Sequence, residues 1–265
     1  TQDYGCRFLL ASSESLALST DKYRCGQALK DFGFVSTARL PHEYESLLKE
    51  WGYPLIAKPR HGSGSDHVQV IFNHEDLKRT FSHVPDCIIQ PFLIPVNWRV
   101  TRSKCKVSDV YHNGKLRQQD EFSVQILVAP EGEILGAFTL KCKYHHGHPV
   151  KLEPVSMPGL EEQAKNIAKH LVRSGFSGPL NLQAREFLQG RFAFYDVNPR
   201  FTVATAARTC LGFAEVESMV LSFLNLAETF PLQPNYNAFV LRHYTDELVN
   251  YRELEGANQS SQRAF

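Results

Sequence analysis

One basic segment carries residue types that could bind a phosphate. Lys58 ends a short apolar run, and a glycine- and serine-rich stretch with Gly62, Ser63, Gly64 and Ser65 follows it. Glycines let backbone N–H groups approach an anion closely, serines add hydroxyl donors, and the lysine adds positive charge. The stretch is not a Walker A loop, because no Gly-Lys-Ser/Thr sequence and no predicted helix follow it. The same residues also fit a Gly/Ser hairpin loop on the surface.

A second polar set belongs to two predicted strands, residues 180–187 and 192–197, which a hairpin at Gln189-Gly190 connects. Side chains alternate between the two faces of a strand. This period places Phe194 and Asp196 on one face. Asn198 follows on that face two residues later, and the hairpin can bring Gln183 alongside.

The oxygens of Gln183, Asp196 and Asn198 form a hard donor set of the kind that Mg²⁺ prefers, together with waters and phosphate oxygens. Arg200 would then lie beside metal-bound phosphates as a fixed cation. The alternative is structural: Asn198-Pro199 is also a common turn that closes a strand.

The chain has 265 residues and a formal net charge of +1, so its composition does not favour nucleic acid or an acidic membrane surface as a partner. No apolar run is long enough for a membrane helix, and no signal pattern opens the sequence. The six cysteines are scattered without a CxxC pair, which indicates reduced thiols in a cytoplasmic protein.

Hydrophobic spacing and caps predict the remaining elements. Helices are predicted at 21–32, 41–51, 74–83, 158–174, 201–211 and 214–226, and further strands at 7–11, 54–58, 68–72, 87–90, 122–128, 134–141 and 239–243. Asp21 and Asn73 are the predicted N-caps, and Gly33 and Gly175 the predicted stops. Residues 12–20 are predicted as a linker and residues 144–150 as a loop. Between residues 98 and 117 we expect strands at Val100, Lys104 and 106–111, with a hairpin turn at Asn113-Gly114.

The order of these pieces resembles the ATP-grasp superfamily, in particular its carbamoyl-phosphate-synthase-like and biotin-carboxylase-like branches. Asp21-Lys22 opens a helix, PLIAKPRHGSGS follows, and then come IIQ, EFSVQILV and finally NLQ with YDVNPR. Each piece alone is weak, and the specificity comes from their order over about 15–225. The resemblance implies an α+β fold in which two α+β subdomains hold ATP between them.

The resemblance also implies a division of the chain. Residues 1–20 would be the end of a mostly absent N-terminal α/β domain and a linker. The small lid subdomain would span 21–90 and the large C-terminal subdomain 91–250, and 251–265 would form a flexible tail.

The resemblance implies a role for each matching position. For the nucleotide, Lys22 and Lys58 match the phosphate-binding residues, Gly62, Ser63, Gly64 and Ser65 match the mobile lid, Gln90, Phe92 and Leu93 match the hinge that binds adenine, and Glu121 matches the acid that binds the ribose.

For the metal and the reaction, Gln183, Asp196 and Asn198 match the metal ligands, and Arg200 and Lys141 match catalytic cations, with Lys143 near them.

The implied activity is that of an ATP- and Mg²⁺-dependent ligase, with Mn²⁺ as an alternative metal. It would activate a carboxylate as an acyl phosphate for attack by an amine, releasing ADP and phosphate. Its partners would be small-molecule carboxylates and amines, in a homodimer or a larger multidomain protein. Two alternatives stay open: a non-catalytic or weakly active ATP-binding module, and carbamoyl-phosphate-type phosphorylation of bicarbonate or carbamate.

The sequence also departs from the family pattern. Asp196 stands where glutamate is usual, Thr202-Val203-Ala204 replace glycine-rich residues, the hinge lacks its usual acid, and residues 94–120 form an insertion. Three further groups keep two interpretations each. The loop at 145–148 could bind a metal or be solvated, Arg208 could meet a substrate carboxylate or lie on the surface, and the basic residues of the insertion could form a partner patch or a solvated face.

Overall fold

The computed structural model describes residues 11–62, 67–84, 86–117, 120–145, 148–188, 190–226 and 232–243. The lid residues Ser63, Gly64 and Ser65 therefore lie outside the described residues. So do most of the predicted strand at 7–11, His146 of the histidine loop, and the predicted tail at 251–265.

The structure contains eight helices and eleven strands within these ranges. The helices are α1 Ser13–Thr20, α2 Lys22–Leu29, α3 Pro41–Trp51, α4 His74–His83, α5 Val107–Val110, α6 Pro158–Val172, α7 Thr205–Cys210 and α8 Glu215–Leu224. The strands are β1 Leu55–Pro59, β2 Gln69–Ile71, β3 Cys87–Pro91, β4 Tyr111–His112, β5 Lys115–Leu116, β6 Glu121–Val128, β7 Ile134–His145, β8 His148–Pro154, β9 Gly178–Leu188, β10 Arg191–Asn198 and β11 Val240–Leu241.

A six-stranded antiparallel sheet in the order β10-β9-β6-β7-β8-β11 forms the larger body. Its central strand β6 is buried at every position. Phe122 and Val124 on one face pack with α2 and α6, and Leu127 on the other face packs with α7 and α8. Both faces of the sheet are therefore covered along β6.

A smaller sheet in the order β2-β1-β3 lies beside the larger one. Leu55 and Ala57 of β1 face a core cluster that Leu47 of α3 and Leu77 of α4 complete. The opposite face carries Val70 and Phe92, which pack with Val110 of the insertion. One face of this sheet thus packs against two helices, and the other face packs against the insertion.

Local capping signals place the first helices as predicted. The Asp21 carboxylate accepts hydrogen bonds from the N–H groups of Tyr23 and Arg24, and Asn73 accepts one from Asp76. These bonds satisfy N–H groups that a helix leaves free at its start. The segment at 12–20, predicted as a linker with room for a turn of helix, forms the two-turn helix α1, which the side chain of Ser12 caps.

The insertion forms few of the predicted strands. Short 3₁₀ turns occupy Val96–Trp98 and Arg102–Lys104, and α5 takes most of the remaining predicted strand at 106–111. The turn at Asn113-Gly114 is confirmed, since both residues have positive φ and join β4 to β5. Packing of scattered apolar side chains onto the smaller sheet, rather than a strand period, orders this segment.

Two further predictions are corrected nearer the C-terminus. The predicted loop at 144–150 belongs to two strands, since β7 continues to His145 and β8 begins at His148. The helices α7 and α8 are shorter than predicted, and β11 has only two residues. No described helix is both long and apolar enough to cross a membrane.

Cys25 and Leu29 of α2 join the core of the larger sheet. The start of the predicted lid subdomain therefore contacts the larger body directly. The subdomain boundaries at 21–90 and 91–250 remain a prediction.

Candidate nucleotide site

A cavity of about 760 Å³ lies between the two sheets. Its wall includes most of the residues predicted from the sequence to form the site: Lys22, Lys58, Gly62, Gln90, Phe92, Leu93, Glu121, Gln183, Asp196, Asn198 and Arg200. Residues from β1, β3, β6, β9 and β10 thus converge on one space, although 140 positions separate Lys58 of β1 from Asn198 of β10.

A β-bulge in β10 decides which side chains reach the cavity. Phe194 pairs with Ala184 and Asp196 pairs with Gln183, so Tyr195 is the extra residue between two pairs. Phe194 is fully buried in the core, whereas Tyr195 and Asp196 both line the cavity. The prediction that Phe194 and Asp196 share a face is therefore wrong, because the bulge interrupts the period of two.

The predicted metal ligands lie together where the last residues of β10 pair with the middle of β9. Asn198 donates from Nδ2 to Oδ2 of Asp196 over 3.1 Å, and Arg200 approaches Oδ1 of Asn198 at 3.4 Å. Gln183 donates from Nε2 to Glu121 at 3.0 Å, which leaves its Oε1 as the metal-binding atom. The described residues include no cluster of three His, Cys, Asp or Glu suited to a metal, so amide oxygens make up much of this donor set.

Glu121 is held from three sides. Its carboxylate accepts hydrogen bonds from the hydroxyls of Tyr144 and Tyr195 as well as from the amide of Gln183. Burial and the Glu121 charge raise the pKa of both tyrosines, so both remain donors. The carboxylate that the resemblance assigns to the ribose thus orients Gln183 and two tyrosines in this structure.

Lys58 brings a buried positive charge into the cavity. Its ammonium donates to Oε1 of Gln90 at 2.9 Å and lies 4.8 Å from the centre of the Tyr195 ring. Burial lowers the pKa of Lys58 to about 8, although the Asp196 charge opposes this shift. No carboxylate of the described residues forms an ion pair with Lys58, so the group is suited to an anionic ligand.

The start of the lid segment is tied to helix α2. The Lys22 ammonium donates to the carbonyl of Gly62 at 2.6 Å, and the Lys22 N–H donates to the carbonyl of Arg60 at 3.1 Å. The Arg60 guanidinium also binds Asp21, the N-cap of α2. Lys22, which the sequence predicts to bind phosphate, is therefore engaged by the lid backbone.

Arg102 of the insertion braces the predicted hinge. Its guanidinium donates to the carbonyls of Pro54 at 2.6 Å and Phe92 at 2.7 Å. The Phe92 N–H donates to Pro54 as well, and the Phe92 ring is buried. The backbone groups of Phe92 are thus occupied, which leaves those of its neighbours Pro91 and Leu93 to face the cavity.

Lys141 does not take part in the site. It is exposed, does not line the cavity, and lies 3.9 Å from the carboxylate of Asp120. Cys142 and Tyr144 of the same strand do line the cavity, so alternation directs Lys141 and Lys143 to the opposite face. The structure therefore does not bring the predicted catalytic lysine to the other candidate residues.

Arg208 is fully buried and forms an ion pair with Glu215 at 3.2 Å. Both earlier interpretations of Arg208, a substrate contact and a surface residue, are wrong, because it does not line the cavity and is not exposed. It donates to the hydroxyls of Ser123 at 2.9 Å and Thr202 at 3.2 Å, and both of these residues do line the cavity. Arg208 thus supports the wall of the site from behind.

The sequence did not identify Ser123, Arg185 and Tyr195 as site residues, yet all three line the cavity. Arg185 shares the strand face of Gln183, which is a signal that the alternation already contained. Tyr195 carried no such signal, because its position depends on the bulge.

A family model described as an ATP-grasp domain matches residues 19–204. The chain belongs to the ATP-grasp family. The resemblance noted in the sequence is therefore confirmed, and the fold agrees with it.

Among curated relatives of this ATP-grasp chain, the biotin carboxylase of Pseudomonas aeruginosa is 24% identical over 217 residues, which cover 75% of this chain and 44% of that protein. The carbamoyl phosphate synthase large chain of Rubrobacter xylanophilus is 28% identical over 78 residues, 28% of this chain and 7% of that protein. The chain thus spans less than half the length of these curated relatives.

Solved ATP-grasp structures share the fold. The N5-carboxyaminoimidazole synthetase of Staphylococcus aureus in complex with ADP has a TM-score of 0.64 at 15% identity, over 85% of this chain and 57% of that one. The biotin carboxylase domain of the 2-oxoglutarate carboxylase of Hydrogenobacter thermophilus, a dimer with MgADP and bicarbonate, has a TM-score of 0.64 at 15% identity, over 90% and 52%.

The residues of the cavity fit a magnesium nucleotide. Gln183, Asp196 and Asn198 present oxygen donors, which suit Mg²⁺. Lys58 presents a positive charge with no counterion among the described residues, which suits phosphate.

Proposed function

We propose that this chain carries the ATP site of an ADP-forming ligase, which activates a carboxylate for attack by an amine or a similar nucleophile. The observation that carries this proposal is the position of Lys58. Its unpaired charge shares one cavity with the oxygen donors Gln183, Asp196 and Asn198. Opposed cationic and metal-binding groups are what a triphosphate needs, because its charge must be screened at both ends.

The candidate site residues have the following roles in this proposal. Lys22 and Lys58 neutralise phosphate charge, and Gln183, Asp196 and Asn198 hold Mg²⁺, which stabilises the negative charge of the phosphates when bound. Arg200 lies beside the metal ligands and orients the transferred group. The hinge accepts the adenine through the backbone at Pro91 and Leu93.

The expected reaction has two balanced steps. A carboxylate oxygen attacks the γ-phosphorus while the bond to the bridging oxygen breaks, which gives an acyl phosphate and ADP. An amine then forms a bond to the acyl carbon, phosphate leaves with the electron pair of the broken C–O bond, and the nitrogen releases a proton. The cavity must exclude water during this sequence, since water would hydrolyse the acyl phosphate.

One observation favours a second function, nucleotide binding without turnover. The wall beyond Arg200 consists of Thr202, Val203 and Ala204, where the family pattern has glycine-rich residues. A nucleotide-binding module of a larger assembly could keep the nucleotide contacts without the usual residues beyond the arginine.

One experiment separates these functions. ADP release from Mg-ATP is measured with pools of carboxylic and amino acids, and separately with bicarbonate, while calorimetry measures nucleotide affinity. Release that needs a carboxylate and an amine supports the ligase, and release with bicarbonate alone indicates carbamoyl-phosphate-type chemistry. Binding without release indicates the module.

The variants for this experiment are Lys58→Met and Asp196→Asn, with the exposed Lys49→Met as the matched control. The first two are expected to lose nucleotide affinity, whereas Lys49→Met retains it. If all three bound nucleotide like the wild type, the assignment of the site would be wrong.

A further inference from the structure

Arg185 carries a positive charge that no described residue neutralises. It lies on β9 two residues after Gln183, on the same face, and it lines the cavity. Its Nε is buried and has no hydrogen-bond partner among the described residues. Its guanidinium also forms no ion pair with them. Because a buried N–H group without a hydrogen-bond partner costs free energy, this partly buried guanidinium is suited to an anion from outside the chain.

The two acids that act on Tyr195 together with Arg185 already have partners. Glu121 accepts from Tyr144, Tyr195 and Gln183, so three donors surround its carboxylate. Asp196 accepts from Asn198 and belongs to the predicted metal ligands. Neither carboxylate forms an ion pair with Arg185, which leaves the guanidinium free for a ligand.

The Tyr195 ring brings Arg185 and Lys58 together. The guanidinium carbon lies 4.9 Å from the centre of that ring, and the Lys58 ammonium lies 4.8 Å from the same centre. The charge of Arg185 contributes to the lowered pKa of Lys58, so the two cations repel each other, and an anion between them would remove this cost. Tyr195 in turn is fixed by its hydroxyl, which donates to Glu121.

Position along the strand indicates which part of a nucleotide Arg185 can reach. Two residues of a strand span about 6–7 Å, so Arg185 lies about that far from Gln183 of the metal set. Phe187, two residues further along β9, contacts the ring of Trp51, and Trp51 lies under Arg102, which braces the hinge. Arg185 thus lies between the metal end and the hinge end of the cavity.

We infer that Arg185 is a further phosphate ligand, which acts together with Lys58 on the α-phosphate of a bound nucleotide. This inference rests on the proposed nucleotide site. In this arrangement the planar guanidinium of Arg185 binds the phosphate nearest the base with two parallel N–H groups, while the metal ligands and Lys22 act on the phosphates further away.

A series of ligands tests the inference. Adenosine, AMP, ADP and ATP are bound to the wild type and to Arg185→Met, with adenosine followed by ligand-observed NMR and the nucleotides by calorimetry. Arg185→Met loses a charge-assisted contact, so its affinities for AMP, ADP and ATP are expected to fall by a similar factor of about 10–100, whereas its affinity for adenosine stays unchanged. A parallel loss of adenosine, a loss confined to ATP, or no loss at all would overturn the inference.

Two further variants complete the test. Arg191→Met removes an arginine that also stacks on an aromatic ring, Phe187, but lies outside the cavity wall, so it should bind all four ligands like the wild type. Arg185→Lys keeps the charge without the fork, and it should weaken AMP less than Arg185→Met does. If Arg185→Met fails to fold in a thermal melt, Arg185→Lys decides, because an AMP affinity equal to that of the wild type would contradict the fork contact.

The proposed function can fail separately. If the wild type bound no nucleotide, the site itself would be wrong. If the wild type and Lys58→Met differed as expected while Arg185→Met matched the wild type, only the role of Arg185 would be lost.

Discussion

The Arg60 guanidinium donates two parallel hydrogen bonds to the Asp21 carboxylate, from Nε to Oδ1 at 2.9 Å and from Nη2 to Oδ2 at 2.6 Å. Asp21 is buried and also caps helix α2, which packs on the larger sheet. Arg60 directly follows β1 of the smaller sheet. One bidentate pair therefore links the smaller sheet to the helix that packs on the larger one.

Removal of Arg60 should destabilise the chain. Arg60→Met leaves the Asp21 carboxylate buried with only its two helix N–H donors, which we expect to lower the free energy of unfolding by about 1–3 kcal/mol. Urea unfolding measures this change. The matched control is Arg39→Met, since Arg39 forms an exposed pair with Asp86 and should cost less than about 1 kcal/mol.

The cost of Arg60→Met should depend on pH. Burial alone would raise the pKa of Asp21, but hydrogen bonds from Arg60 and from the Arg24 N–H outweigh burial and hold this pKa below its ordinary value of 3.8. A carboxyl with a depressed pKa stabilises the fold above its unfolded pKa and loses this contribution as the pH falls through its folded pKa. The stability difference should thus shrink below pH 3.8, and a difference independent of pH would contradict the pair.

Lys58 should take up a proton when the nucleotide binds near pH 8. The pKa of this group is lowered to about 8, so a large fraction is neutral at that pH, and a bound phosphate raises the pKa again. Affinity should therefore rise as the pH falls through 8 and level off below it. Calorimetry in buffers of different ionisation enthalpy measures the proton uptake.

Lys58→Met should abolish the proton uptake, whereas Lys49→Met on the exposed side of α3 should keep it. Equal proton uptake in both variants would show that another group titrates.

Asp196→Asn should weaken the Mg²⁺ dependence of nucleotide binding. The amide keeps the size of the side chain but removes the only carboxylate of the set Gln183, Asp196 and Asn198. A Mg²⁺ titration of ADP affinity is expected to shift to at least about 10-fold higher metal concentration, the loss of one charge-assisted ligand. Asp120→Asn, which changes an acid outside the cavity wall, is the control and should not shift the titration.

The pair of Arg208 and Glu215 should show strong coupling. Arg208→Met leaves the Glu215 carboxylate buried without its partner, and we expect a loss of about 3–5 kcal/mol in urea unfolding. The double variant Arg208→Met with Glu215→Leu should be more stable than the single one, because no charge stays buried. Additive losses would mean that the two side chains do not act as a pair.

Local signals predicted several elements to the residue. Helices α3 and α4 have the predicted bounds, since Pro41 and the Asn73 cap fix their starts within a few positions of sequence. The insertion could not be predicted in this way. Trp98 and Val110 are ordered by packing against the smaller sheet, and no period in the sequence contains that information.

Much of the candidate site was also predicted. Lys58, Gln183 and Asp196 share one cavity, as the family pattern implies. Tyr195 was missed because a bulge depends on strand pairing, which the sequence of a single strand does not specify. The partner of Arg208 was missed for a similar reason, since burial of Glu215 results from tertiary packing of α8.

The contact between the Lys22 ammonium and the Gly62 carbonyl has a kinetic consequence. A phosphate that takes the position of this carbonyl on Lys22 must displace it, so association at that position becomes an encounter followed by an exchange within the complex. The observed rate of such a two-step process rises with nucleotide concentration and then saturates at the rate of the exchange. The rate at which Lys22 releases the Gly62 carbonyl would thereby limit the rate of nucleotide binding at high nucleotide concentration.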